Sequence, residues 1–233
     1  MALILGDSLS AQRGLDLADL ATRYLTWHQT GAFDSGPTWA AVFARHARGM
    51  PIEQAAAQVH AACGGLTAGT NPAHRVAPIG CLPRPPETLA AMARAEARLT
   101  HLHPDAGEAA AAMALLIHHL LAGEPWPEAR RRTAESLVGS VACVVRGDVT
   151  GPLSPGGYAP ETLRAALWFM EAHADFTTAL DASFVFAGPA NYCPVLVGAL
   201  AATRWGVPAG MSTELAEAAR GCFRSLRMMG PGV

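Results

Sequence analysis

Apolar residues along this chain of 233 recur every three or four positions and almost never alternate. That spacing is the signature of one buried helix face, not of a half-buried strand. The first clear case opens at Asp16, carries Leu17, Leu20, Ala21, Tyr24, Leu25 and Trp27, and stops at Gly31. Pro37 and Pro51 stand at first-turn positions of two more helices, where a missing N–H removes no hydrogen bond. Pro85-Pro86 introduces a helix toward Thr100, Pro104 starts one through Leu121 that Gly123 ends, and Pro127 starts one to about Val145. Gly147 to Gly157, dense in glycine and proline, reads as loop. Beyond it the pattern predicts helices from Pro160 to Glu171, Asp175 to about Phe186, Pro194 to Trp205 and Ser212 to Met228. Ser212 is the expected cap of the last, with Leu215 leaving the reciprocal capping box incomplete. The sum is a compact, mostly orthogonal all-α multi-helix fold of about nine or ten helices, in one domain over residues 1–233.

Composition narrows the function classes. A net charge of −2 offers no basic surface for a long phosphate backbone, so nucleic acid is not an expected partner. The run Arg130-Arg131-Arg132 reads as solvated surface. Ala109 to Leu121, the most apolar helical stretch, is too short to span a bilayer and contains His118 and His119, which are expected to be partly exposed. Five widely spaced cysteines, with no CxxC, point to free thiols in a reducing compartment. No leader sequence is read at Met1, and a soluble cytoplasmic protein is expected.

Several segments, in order and at their separations, resemble one family. Arg13-Gly-Leu-Asp-Leu, Tyr24-Leu-Thr-Trp27 and Gly31-Ala-Phe-Asp-Ser-Gly-Pro-Thr38 come first. Gly69-Thr-Asn-Pro-Ala-His-Arg75 through Gly80, Leu99-Thr-His-Leu-His-Pro104, Gly157-Tyr-Ala-Pro-Glu-Thr-Leu-Arg and Gly198-Ala-Leu-Ala201 follow. Together they resemble the ADP-ribosylglycohydrolases. The resemblance implies an all-helical fold and two magnesium ions that serve hydrolysis of a glycosidic bond at ADP-ribose. It also implies that Asp34 lines the substrate cleft and that the loop from Gly69 to Arg75 touches phosphate or ribose.

The departures change the expected chemistry. Where the family has G-G-D-x-D-T, this chain has Ala187-Gly188-Pro189-Ala190-Asn191-Tyr192. Proline brings no side-chain oxygen, a neutral amide cancels no metal charge, and a protonated phenol is a poor ligand for a hard cation. The resemblance begins at Met1, so the family's earlier Asp-Asp-Thr stretch is also expected to be missing, and an apolar surface is left for a symmetric dimer to cover. No metal and no cofactor is expected.

Asp34, His101, His103 and Tyr192 are the candidate catalytic residues. Asp34 alternatively caps the helix after Pro37, and the two histidines alternatively form a hydrogen-bonded turn with Asp105 or, on weaker grounds, part of a metal site. Gly69, Thr70, Asn71, His74, Arg75 and Asn191 are the candidate ligand contacts. Cys193 reads as a small buried filler before it reads as a nucleophile. The leading expectation is a divergent, metal-independent enzyme for a small or peptide-derived substrate. A non-catalytic protein recognising ADP-ribose or a protein partner comes next, and an active ADP-ribosyl-protein hydrolase last.

Overall fold

The computed structural model describes residues 1–32, 35–210 and 213–230; among them the regular elements are fourteen helices, without a β-strand. The first six are α1 (Ala2–Gln12), α2 (Leu17–Thr30), α3 (Pro37–His46), α4 (Ile52–Ala62) and the short α5 (Asn71–Arg75) and α6 (Ala77–Gly80). There follow α7 (Pro86–Ala97), α8 (Pro104–Leu121), α9 (Trp126–Glu135) and α10 (Gly139–Arg146). The last four are α11 (Ala159–Ala172), α12 (Phe176–Ala187), α13 (Tyr192–Trp205) and α14 (Thr213–Arg227). None is long and apolar enough to cross a membrane among the described residues.

The axis of the fold is α8. Its alanines, Ala109 to Ala112, are fully buried, and their small side chains let α5, α6, α7, α9, α11 and α13 pack around it. Prolines and acidic caps set the helix starts. Asp16 accepts from the amides of Ala18 and Asp19, and Asp175 accepts from that of Thr178, as N-cap carboxylates do. The expected cap at Ser212 lies outside the described residues.

Four local expectations change. The stretch from Pro127 to Val145 is two helices, because Gly139 takes φ +64 and turns the chain between α9 and α10. Residues 71–80 add two short helices whose bonds are supported by packing on α8. The apolar start of the chain is itself a helix, α1, packed against α2, α6 and α14. His119 is buried, and its Nδ1 lies 3.1 Å from Glu124 Oε1, so a carboxylate holds it.

The core also encloses an ion pair. Arg75 and Glu96 are 1% and 0% exposed, with Arg75 Nε donating to Glu96 Oε1 at 2.5 Å. Tyr24 donates to the same oxygen at 3.0 Å, and the guanidinium lies over the rings of Tyr24 and Trp39. Burial, then the charge of Glu96, hold the Tyr24 phenol well above its ordinary value, so it remains a donor.

Candidate functional site

Two loops meet at the mouth of the cleft. The amide of Thr70 donates to the carbonyl of Gly157 at 3.1 Å, the amide of Ala159 donates to that of Ala68 at 2.8 Å, and Gly69 pairs with Tyr158 in one antiparallel bridge. This strap fixes the start of α5 beside the start of α11. A third segment joins it, since Asn71 Nδ2 donates to the carbonyl of Ser35 at 2.8 Å. Asp34 itself lies outside the described residues.

An open depression of about 460 Å³ sits on the strap, lined by Leu66, Ala68, Gly69, His103, Gly157 and Tyr158. Its walls are fixed by side-chain bonds. His103 caps α8, its Nδ1 accepting from the amide of Asp105 at 3.2 Å, while its own amide donates to Thr67 Oγ1 at 3.1 Å. Asp105 accepts 2.7 Å bonds from both Tyr158 and Ser140. Burial, reinforced by the bond to Asp105, pushes the Tyr158 phenol up to about 12. A second, smaller cavity of about 220 Å³ adjoins, bordered by Arg98, His101, His103 and Gly107.

The segment Gly188 to Tyr192, leading into α13, reaches the strap at Gly157. The Tyr192 ring lies on Gly157, where an added Cβ would come within 3.0 Å of Cζ. Only a glycine admits the ring there without displacement. On its other side Tyr192 stacks on His74, with ring centroids 6.3 Å apart and planes at 24°, and the carbonyl of Tyr192 accepts from His74 Nε2 at 2.9 Å. Asn191 stands exposed at the N-cap of α13, whereas Cys193 is buried, and burial pushes its thiol up to about 12. A thiol held protonated so firmly is a poor nucleophile.

The expected site residues thus separate into groups. Gly69 and His103 line the larger cavity and His101 and His103 the smaller, while Thr70, Asn71, His74 and Tyr192 bond or pack beside the strap without lining either. Arg75, expected as a ligand contact, is instead committed to Glu96 and Thr100 inside the core. Leu66, Gly157 and Tyr158 line the cleft without having been singled out. The glycine-tyrosine pair belonged to a quoted motif, but its meeting with Gly69 is a contact 89 positions long and invisible locally.

The residues do not fit a magnesium pair. The edge segment offers Pro189, Asn191 and Tyr192 where paired carboxylates are needed, and no group of three or more metal-ligating side chains forms among the described residues. A further depression of about 450 Å³ lies away from the cleft on α9 to α11, lined by Trp126, Arg130, Arg131, Arg146 and Glu171. Its arginines are already paired with Glu171, Glu128, Glu135 and Asp148.

Comparison with known proteins agrees with the all-helical fold. Residues 1–228 match the model of the ADP-ribosylglycohydrolase family. The chain is 28% identical over 224 residues to the ADP-ribosyl-[dinitrogen reductase] glycohydrolase of Rhodospirillum rubrum, covering 92% of this chain and 71% of that one. A solved structure described as an ADP-ribosylglycohydrolase-related protein complex superposes with a TM-score of 0.77 at 29% identity, over 98% of this chain and 79% of that one. A shared all-helical fold and a match along almost the whole sequence place this chain in the ADP-ribosylglycohydrolase family.

Proposed function

We propose that this chain recognises ADP-ribose or an ADP-ribosyl group in its cleft and does not hydrolyse it by a magnesium-dependent route. The observation that carries this reading is the contrast at Tyr192. Its ring fills the edge of the cleft against Gly157 and His74, while the depression over Gly69 and Gly157 stays open. Glycine backbone at Gly69 and Gly157 lets a sugar-phosphate ligand approach the floor of the depression closely.

The binding reading stands ahead of metal-free catalysis on the same geometry. His103 Nδ1 is engaged as a helix cap, Cys193 is held as a thiol, and the Tyr158 phenol is held neutral by burial and its bond to Asp105. Neither the Cys193 thiol nor the Tyr158 phenol is poised to exchange a proton near neutrality.

Calorimetric titration with ADP-ribose and with ADP-ribosyl-arginine in magnesium tests the reading, with the contents of the cell then separated by chromatography. Saturable heats with both ligands recovered intact are expected. Free ADP-ribose accumulating from ADP-ribosyl-arginine would establish a hydrolase, and an absence of heat with either ligand would refute recognition.

A further inference from the structure

A hydrogen-bonded chain runs from the buried ion pair to the cleft. Arg75 Nε donates to Glu96 at 2.5 Å, Arg75 Nη2 donates to Thr100 Oγ1 at 3.0 Å, and that oxygen lies 2.8 Å from His101 Nδ1. A guanidinium has donors only, so the Thr100 oxygen is the acceptor in its bond to Arg75. The single proton of the Thr100 hydroxyl then finds one acceptor among the described residues, Nδ1 of His101.

We infer that Glu96, Arg75 and Thr100 are positioning residues that hold His101 in the tautomer protonated on Nε2, as a fixed donor to an acceptor oxygen of the ligand. This rests on the recognition reading above for the identity of the ligand. The relay itself is a property of the unliganded chain.

Three observations support it. His101 is 2% exposed, yet its Nε2 has no hydrogen-bond partner among the described residues. That nitrogen stands 3.0 Å from where a Cβ on Gly69 would be, so a side chain at Gly69 would cover it. Burial first, then the charges of Arg75 and His74, push the imidazole down to about 3. Around it, Arg75 and His74 face it from α5, and Arg98 and His103 border the same cavity. The nearest carboxylate on that cavity, Glu108, is held by two bonds from Arg94 at 2.6 and 2.9 Å. With Arg75 and Arg98 around it and Glu108 engaged, His101 has no partner among the described residues that favours an imidazolium.

The tautomer is readable directly. A long-range proton–nitrogen correlation spectrum of the nitrogen-15-labelled, ligand-free chain is expected to show His101 protonated on Nε2 only. The pattern is expected to be unchanged on acidification through the ordinary histidine range. Thr100→Val is expected to mix the tautomers and weaken ADP-ribose about tenfold, the scale of one lost hydrogen bond. Thr100→Ser is expected to restore both. A proton on Nδ1 in the wild-type chain, or titration of His101 near 6.5, would overturn the inference. If Thr100→Val does not fold, the wild-type spectrum and the serine variant still decide it. A wild-type chain with this tautomer but no affinity for ADP-ribose would remove the ligand assignment and leave the relay standing.

Discussion

Around Gly69 and Gly157 the cleft is held by backbone bonds between two loops, with the side-chain bonds of His103 and Tyr158 fixing its walls. At Gly188 to Tyr192, one ring away, the shape depends on a side chain, and there the sequence has bulk and no charge. The contrast separates two demands. The proposed recognition of a sugar phosphate asks for a held, open surface. A divalent ion needs negatively charged oxygens at particular positions, and replacing two of them ends the site. The proposed recognition therefore does not require the ion.

The largest expected effect falls on the core that supports the intact side of this contrast. Glu96→Ala leaves the Arg75 guanidinium buried and unpaired, which costs about 3–5 kcal/mol, read as a lower denaturation midpoint. It also cuts the relay to His101, so the floor of the cleft and the stability of the fold change together.

Acid stability follows from His101. Its folded-state value is lowered from 6.5 to about 3, so it contributes stability that is fully present above 6.5 and lost as the pH falls toward 3. In that window the unfolded chain binds the extra proton. Full titration corresponds to a few kcal/mol, to order of magnitude. His101→Gln is expected to flatten the acid limb of stability against pH, and an unchanged limb would contradict the buried neutral imidazole.

A smaller effect links the two regions. Gly157→Ala puts a Cβ 3.0 Å from Tyr192 Cζ, and the ring must move. A loss of about 1–3 kcal/mol is the usual cost of such overpacking. In a Tyr192→Ala background the same substitution is expected to cost much less, and a double-mutant cycle with no coupling would show that the ring does not fill this space. The smallest effect expected is none at all: millimolar magnesium should leave the melting temperature of the wild-type chain unchanged, because an ion that does not bind the folded state cannot stabilise it.

Much of the scaffold was legible in the sequence, for local reasons. Proline at a first turn, aspartate at a cap and glycine at a stop act within a few residues, so Asp16, Pro37, Pro104 and Asp175 marked helix starts correctly within a residue or two. The split at Gly139 was missed because the apolar spacing continues across it. The first helix was missed because it is apolar on several sides, leaving no polar stripe to reveal its period. At the site, the altered edge could be read from residue chemistry alone, since proline and asparagine lack the charge a cation needs. The partners could not. Arg75 meets Glu96 across 21 positions and His74 meets Tyr192 across 118, and such pairs exist only once the helices have packed. The fate of Arg75 shows the consequence, since a residue in a motif resembling a ligand loop serves the cleft from within the core.

On the proposed function, the cleft keeps its ligand without the ion. The dissociation constant of ADP-ribose, measured once in EDTA and once in excess magnesium on the same preparation, tests it directly. The same value is expected in both. Binding that appears only with magnesium, or tightens tenfold in it, would show that the ion is part of the site.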